Sequence, residues 1–277
     1  MYMKKHLLLT PAALLGFGMF FTTVFSSCVR ERDTNTDQAQ DEILGEMAYY
    51  EAVSMAEDAA TKKTGELLSN YKTSGYCATL THDEVSMPRS ISIDFGSTNC
   101  MCSDARYRRG KIVVSYTGST YNDPGNVATI NFENYFIDNN RIMGSVIMTN
   151  KGLNVDNQSH YELDINGKML REFLLDTIYW NAKRVRTWIQ GEGTPVWGDD
   201  KYEIEGTGNG RSNQLGYYSC NIVEPLVKGY DCRYYPSGRI EMQPQGKTLR
   251  TIDFGEGNCD REAWVEIDNK RYSLTLY

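Results

Sequence analysis

Three groups of residues carry most of the chemistry in this 277-residue chain. Near the C-terminus, Asp253, Glu256, Asn258 and Asp260 alternate with Gly255 and Gly257. Oxygen ligands on a glycine-rich turn suit calcium; the plainer alternative is a structural turn in which glycine takes positive φ and aspartate accepts backbone hydrogen bonds. In the middle of the chain, Arg184, Arg186 and Trp188 fall on one face of an expected strand. Two guanidinium groups beside an indole can stack on a sugar ring or hold an acidic glycan. The same three residues also fit a cross-strand ladder, with the arginines paired to Glu203 or Glu205 and the tryptophan covering the sheet. The third group is cysteine: Cys77, Cys100, Cys102, Cys220, Cys232 and Cys259, besides Cys28.

Hydrolytic chemistry finds little to work with. Beyond the N-terminal region the histidines are His82 and His160, neither in a nucleophile-base context, and no Gly-x-Ser-x-Gly elbow occurs. Carboxylates pair in sequence at Asp83 and Glu84, Asp199 and Asp200, and across Asp253 and Asp260. A glycosidase needs two carboxyls facing one another across a cleft, and neighbours on a strand point to opposite faces. Gly206 to Gly210 lacks the lysine and the following helix of a phosphate loop, and reads as a hairpin tip. No cofactor is expected.

An internal repeat organises the cysteines. Ile93-Asp94-Phe95-Gly96 followed by Asn99-Cys100 recurs as Ile252-Asp253-Phe254-Gly255 followed by Asn258-Cys259. Each copy has an earlier cysteine at similar distance, Cys77 and Cys232. The expected disulfides are therefore Cys77 with Cys100 and Cys232 with Cys259, leaving Cys102 and Cys220 as a possible third pair. Loops of that length contribute about 3 kcal/mol each when unstrained. A zinc site on Cys100-Met101-Cys102 has only a weak signature, because the usual two-residue spacing between cysteines is missing.

The N-terminus gives an address. Lys4 and Lys5 precede an apolar stretch from Leu7 to Phe25, and Val24-Phe25-Ser26-Ser27 leads into Cys28. That run resembles a bacterial lipobox, which implies cleavage before Cys28 and several acyl chains on the new terminus, a firm membrane anchor. An uncleaved membrane helix is the competing reading, against which Pro11, Gly16 and Gly18 count. Loss of Lys4 and Lys5 takes the net charge from -7 to -9. A chain so acidic, with no basic run, is not built for nucleic acid, which needs a cationic face.

Residues 28–40 read as a flexible polar tether, and residues 41–73 as a helical segment with its helix over Asp41 to Lys63. Its apolar stripe is thin, which places it on the surface of the β domain or in a stalk. From residue 74 to 277 the pattern is period two, with turns at Asp123-Pro124-Gly125-Asn126, Asp138-Asn139-Asn140, Asn166-Gly167, Gly191 to Gly193, Gly198-Asp199-Asp200, Gly206 to Gly210, Pro236-Ser237-Gly238 and Asp268-Asn269. The expected fold is mostly β, an extended antiparallel meander, either sandwich-like or one long twisted sheet, preceded by one N-terminal helix.

The lipobox at Cys28, Trp180-Asn181 with Arg184, Arg186 and Trp188, the run Cys232 to Gly238 and the closing Ile252 to Asp260 together resemble uncharacterised lipoproteins exported by Bacteroidota. The resemblance implies an outer-membrane, lipid-anchored protein on the periplasmic or the surface-exposed face, and it transfers no catalytic residue. Binding or adhesion to a glycan or another envelope protein is the leading expectation. A glycan-active hydrolase of the cell surface is the alternative, and a structural subunit assembled by strand exchange is a third.

Overall fold

In a computed structural model, the described residues are 33–64, 77–171, 173–194 and 197–276. The expected signal peptide, Cys28 and residues 65–73 lie outside them. One helix, α1 (Asp37–Ala60), precedes fourteen strands: β1 (Thr79–Asp83), β2 (Arg89–Asp94), β3 (Cys100–Met101), β4 (Tyr107–Tyr116), β5 (Val127–Ile137), β6 (Asn140–Leu153), β7 (Ser159–Arg171), β8 (Asp176–Gln190), β9 (Lys201–Ser212), β10 (Gly216–Gly229), β11 (Ser237–Pro244), β12 (Arg250–Glu256), β13 (Glu262–Ile267) and β14 (Lys270–Thr275).

All fourteen strands form one antiparallel sheet in sequence order, with the two-residue β3 set aside on β4, and the sheet does not close into a barrel. The meander is therefore a single sheet and not a sandwich. Alternation does the work locally: along β7, Tyr161, Leu163, Ile165 and Met169 are buried while Glu162, Asp164 and Asn166 face water. Left-handed turn residues close the hairpins, as at Asp138-Asn139 and Asp268-Asn269. Pro225, which cannot donate to a ladder, sits where β10 shifts register against both neighbours.

The helix corrects the sequence-based expectation. It is no surface element: 19 of its 24 residues are buried, and its residues belong to both hydrophobic clusters of the molecule. Ala48, Tyr49, Ala52, Val53 and Met55 pack with the strands from β1 to β8, whereas Ala39, Ile43, Met47 and Tyr50 pack with those from β9 to β14. The sheet bends round α1, which is why no single apolar stripe marks the helix in sequence. It also begins earlier than expected, at Asp37, and the segment before it is not all tether. Gln38 and Ala39, expected in the tether, are buried residues of the helix, and ahead of it Asp33 meets the buried Arg250 at 2.7 Å.

Close approach of helix and sheet depends on two glycines. A Cβ on Gly45 would lie 2.6 Å from the Trp180 ring, and one on Gly167 would lie 2.6 Å from the Tyr49 ring. With those positions empty, the Tyr49 and Trp180 rings stack 5.4 Å apart, and the Tyr49 hydroxyl donates to the Met143 carbonyl at 2.7 Å.

The repeat is structural. In both copies the aspartate accepts the backbone N–H two residues on, Asp94 from Gly96 at 2.8 Å and Asp253 from Gly255 at 2.9 Å. Gly96 and Gly255 have φ of 79° and 96°, and the preceding Phe95 and Phe254 are buried. Disulfides join Cys77 to Cys100 and Cys232 to Cys259, as expected. Cys102 and Cys220 do not form the third pair; both are buried thiols, and Cys220 donates to Glu42 Oε1 at 3.0 Å.

Candidate functional site

The inner face of the sheet carries arginines, and the helix inside it carries the matching acids. On β8, Ile178, Trp180 and Ala182 are buried, and the same alternation sends Arg184 and Arg186 inward behind them. Arg184 Nε donates to Glu46 Oε1 at 2.9 Å and its Nη2 reaches Glu42 Oε1 at 3.4 Å. Arg186 takes both oxygens of Glu57, with Nη2 to Oε2 at 2.8 Å, and its guanidinium lies 3.5 Å from the Tyr202 ring centroid. From β4, Arg108 holds Glu51 at 2.9 Å and Asp104 at 2.8 Å, and Arg106, just before that strand, holds Asp138 at 2.7 Å.

Arg184 and Arg186 therefore form neither the surface glycan site nor the ladder with Glu203 and Glu205. Both are buried and used up by helix carboxylates. Trp188, next on that strand, leaves the interior and rests on Tyr202 with ring centroids 5.2 Å apart. The calcium candidates do not converge either. The Asp253 carboxylate serves Gly255, Arg239 and Arg271, Asp260 accepts the Glu262 N–H at 2.9 Å, and Glu256 and Asn258 are exposed. Among the described residues no group of three or more His, Cys, Asp or Glu is placed to hold a metal ion. His82 links the helix end to the sheet, with Nδ1 2.9 Å from the Lys62 carbonyl and Nε2 2.8 Å from the Tyr116 hydroxyl.

One cavity stands out for its chemistry, about 120 Å³ between α1, the end of β10 and the loop before β11, with Glu51, Asp104, Lys228, Tyr230 and Arg233 on its walls. Such a volume holds a few waters or a very small solute. Burial pulls the Lys228 pKa down to about 7 while Glu51 resists. A neutral lysine would be a nucleophile or base, but here Nζ donates to the Cys232 carbonyl at 2.6 Å and to the carbonyls of Arg233 and Tyr234. Three acceptors around one nitrogen match the three hydrogens of an ammonium and leave no direction for a lone pair. Lys228 is thus a clamp on the loop that carries Cys232. Burial pulls Asp104 upward, but the hydrogen bonds from Arg108 outweigh it and hold the carboxyl below its ordinary range. A paired carboxylate of that kind does not serve as the acid of a glycosidase.

A third buried cluster joins helix and sheet near the start of α1. Arg171 bridges Asp41 and Asp176, each at 2.8 Å. Burial, helped by Asp176, Asp37 and Glu42 and opposed by Arg171, pushes Asp41 up to about 7. Stability from such a group is fully present below pH 4 and is lost as the pH rises through 7, because the fold disfavours the charged form. Asp41→Asn is therefore expected to match the unaltered chain in urea melts at pH 4.5 and to exceed it by about 2 kcal/mol at pH 8. Lower stability of the asparagine chain at both pH values would show that Arg171 needs this carboxylate.

No helix of the described residues is long and apolar enough to cross a membrane. No family model, no curated protein and no solved structure matches the chain.

Proposed function

We propose that this is a lipid-anchored cell-envelope protein whose body binds or braces other envelope components without turning over a substrate. The observation that carries the second half is the use made of the interior: the sheet is filled by the chain's own helix, and the arginines and carboxylates inside it are spent on one another. A rigid body of that kind offers its outer face and its hairpin tips to a partner, be it a glycan or an envelope protein. The address comes from Lys4, Lys5, the stretch Leu7 to Phe25 and Cys28. Two disulfides agree with maturation in an oxidising compartment.

Metabolic labelling with a palmitate analogue tests the address. The unaltered chain is expected to take the label and sediment with membranes, and Cys28→Ala is expected to lose both properties. Recovery of the unaltered chain from the soluble cytosol, unlabelled and with all thiols reduced, would remove the proposal.

A further inference from the structure

We infer that the tip of the β7–β8 hairpin dips into a phospholipid bilayer, so that the protein touches its membrane at a second point beside the anchor. The anchor part of this rests on the lipoprotein reading above; the hairpin part stands on its own geometry.

Three consecutive apolar residues at this tip face water, Phe173 at 82%, Leu174 at 57% and Leu175 at 85% exposure. Leu175 has φ of 48°, and the other described non-glycine residues with positive φ are asparagines, aspartates and one alanine. A leucine in that conformation costs about 1 kcal/mol, where asparagine would serve the turn better. At the opposite end of the sheet the exposed apolar residues, Val85, Met87, Leu153 and Val155, are separated by polar ones across two tips.

Placement supplies the second argument. The first turn of α1 lies at the same end as this tip: Gln38 Nε2 donates to the Leu215 carbonyl at 3.0 Å, in the β9–β10 tip, and Arg171 joins Asp41 to Asp176 at the base of the β7–β8 tip. Four residues lie between Cys28 and Asp33, five Cα–Cα steps that reach at most about 18 Å whatever their conformation. An acylated Cys28 thus keeps this end of the body, and not the other, next to the lipid.

A third observation fixes the depth. Across the outer face, Lys168, Tyr179, Arg211 and Tyr217 lie in register on β7, β8, β9 and β10. The Lys168 ammonium is 5.5 Å and the Arg211 guanidinium 5.1 Å from the Tyr179 ring centroid. Tyr179 follows Leu175 by four residues, about 13 Å along a strand. With the tip about 5 to 10 Å below the acyl boundary, this row of tyrosines and cations sits at the headgroups, where such side chains are favoured. Contact made through apolar side chains is also indifferent to salt, which suits a chain of negative net charge.

Phe173→Trp and Leu174→Trp, made separately in the full chain, report on this tip after reconstitution into phosphatidylethanolamine vesicles containing lipids brominated along the acyl chain. The emission added by each tryptophan is expected to shift to the blue and to lose most of its intensity, at low and at high salt. Palmitate label is read on the same samples. Labelled protein whose added emission is unquenched overturns the hairpin and leaves the anchor standing; quenched emission on unlabelled protein supports the hairpin and removes the anchor; unquenched and unlabelled protein removes both. Dimerisation of a Cys28→Ala chain that Leu174→Ser abolishes would assign the tip to a second copy and overturn the inference.

Discussion

Arg186→Met is expected to lower the unfolding free energy by about 3 to 5 kcal/mol, and adding Glu57→Met is expected to recover most of that loss. Arg186 is fully buried, holds both oxygens of Glu57 and lies over Tyr202. Removing it leaves the Glu57 carboxylate inside the sheet with the Tyr230 hydroxyl, 2.5 Å from Oε2, as its remaining named donor. A buried charge stripped of its counter-charge has lost hydration and gained nothing in return. Two methionines restore a neutral interior of similar volume, and the flexible side chain fills what the guanidinium vacated. Urea melts of the single and double variants decide the matter. A single variant within about 1 kcal/mol of the unaltered chain would show that the pair sits in water and not in a core.

That pair also marks what could be read in the sequence. Period-two alternation and most of the turn residues mark the antiparallel strands, because both signals are local: a strand shows its inner face every second residue, and Asp-Asn or Gly marks where φ turns positive. The repeat gave two disulfides for the same reason, since Asp94 with Gly96 and Asp253 with Gly255 build one turn twice and so present Cys100 and Cys259 alike. Pairing the leftover Cys102 and Cys220 had no such local support, and it failed. Two glycine-bearing stretches are not turns: Gly206 to Gly210, expected as a hairpin tip, runs inside β9, and Asn166-Gly167 inside β7, where Gly210 and Gly167 leave room for the Tyr218 and Tyr49 rings.

The helix shows only a thin apolar stripe because buried acids take up part of its inward surface. Glu42, Glu46, Glu57 and Asp58 interrupt every apolar stripe of α1, yet all four are buried. Their counter-charges lie over 120 residues away for Glu42, Glu46 and Glu57, as the separations of 142, 138 and 129 to Arg184 and Arg186 show. Nothing in a window of a dozen residues records such a partner. One clue was present: Ile178, Trp180 and Ala182 set an inward face on β8, and Arg184 and Arg186 continue it in phase. Following that phase, instead of the residue type, assigns both arginines to the interior. The tip at Phe173 to Leu175 carries no turn residue, and three apolar residues in a row between Arg171-Glu172 and Asp176-Thr177 look like part of a strand and not like its end.

Trp180→Ala is expected to cost about 3 to 5 kcal/mol, and it should reverse the sign of a second substitution one helix away. The indole is fully buried, stacks on Tyr49 at 5.4 Å and donates from Nε1 to Glu42 Oε2 at 2.7 Å. Truncation opens a cavity between helix and sheet and withdraws a hydrogen bond from a buried carboxylate, and the two losses add. Gly45 faces the same ring, and a Cβ there would lie 2.6 Å from it, against rigid aromatic atoms that cannot swing aside. In the unaltered chain Gly45→Ala therefore overpacks the contact and costs about 1 to 3 kcal/mol. With Trp180→Ala the obstruction is gone, and the ordinary preference of a helix for alanine over glycine takes over, a gain of about 1 kcal/mol. A double-mutant cycle measured by urea unfolding should accordingly show a coupling of about 2 to 4 kcal/mol between positions 45 and 180. Additive effects would mean that α1 does not lie against β8 at this point, and the placement of the helix inside the curved sheet would have to be given up.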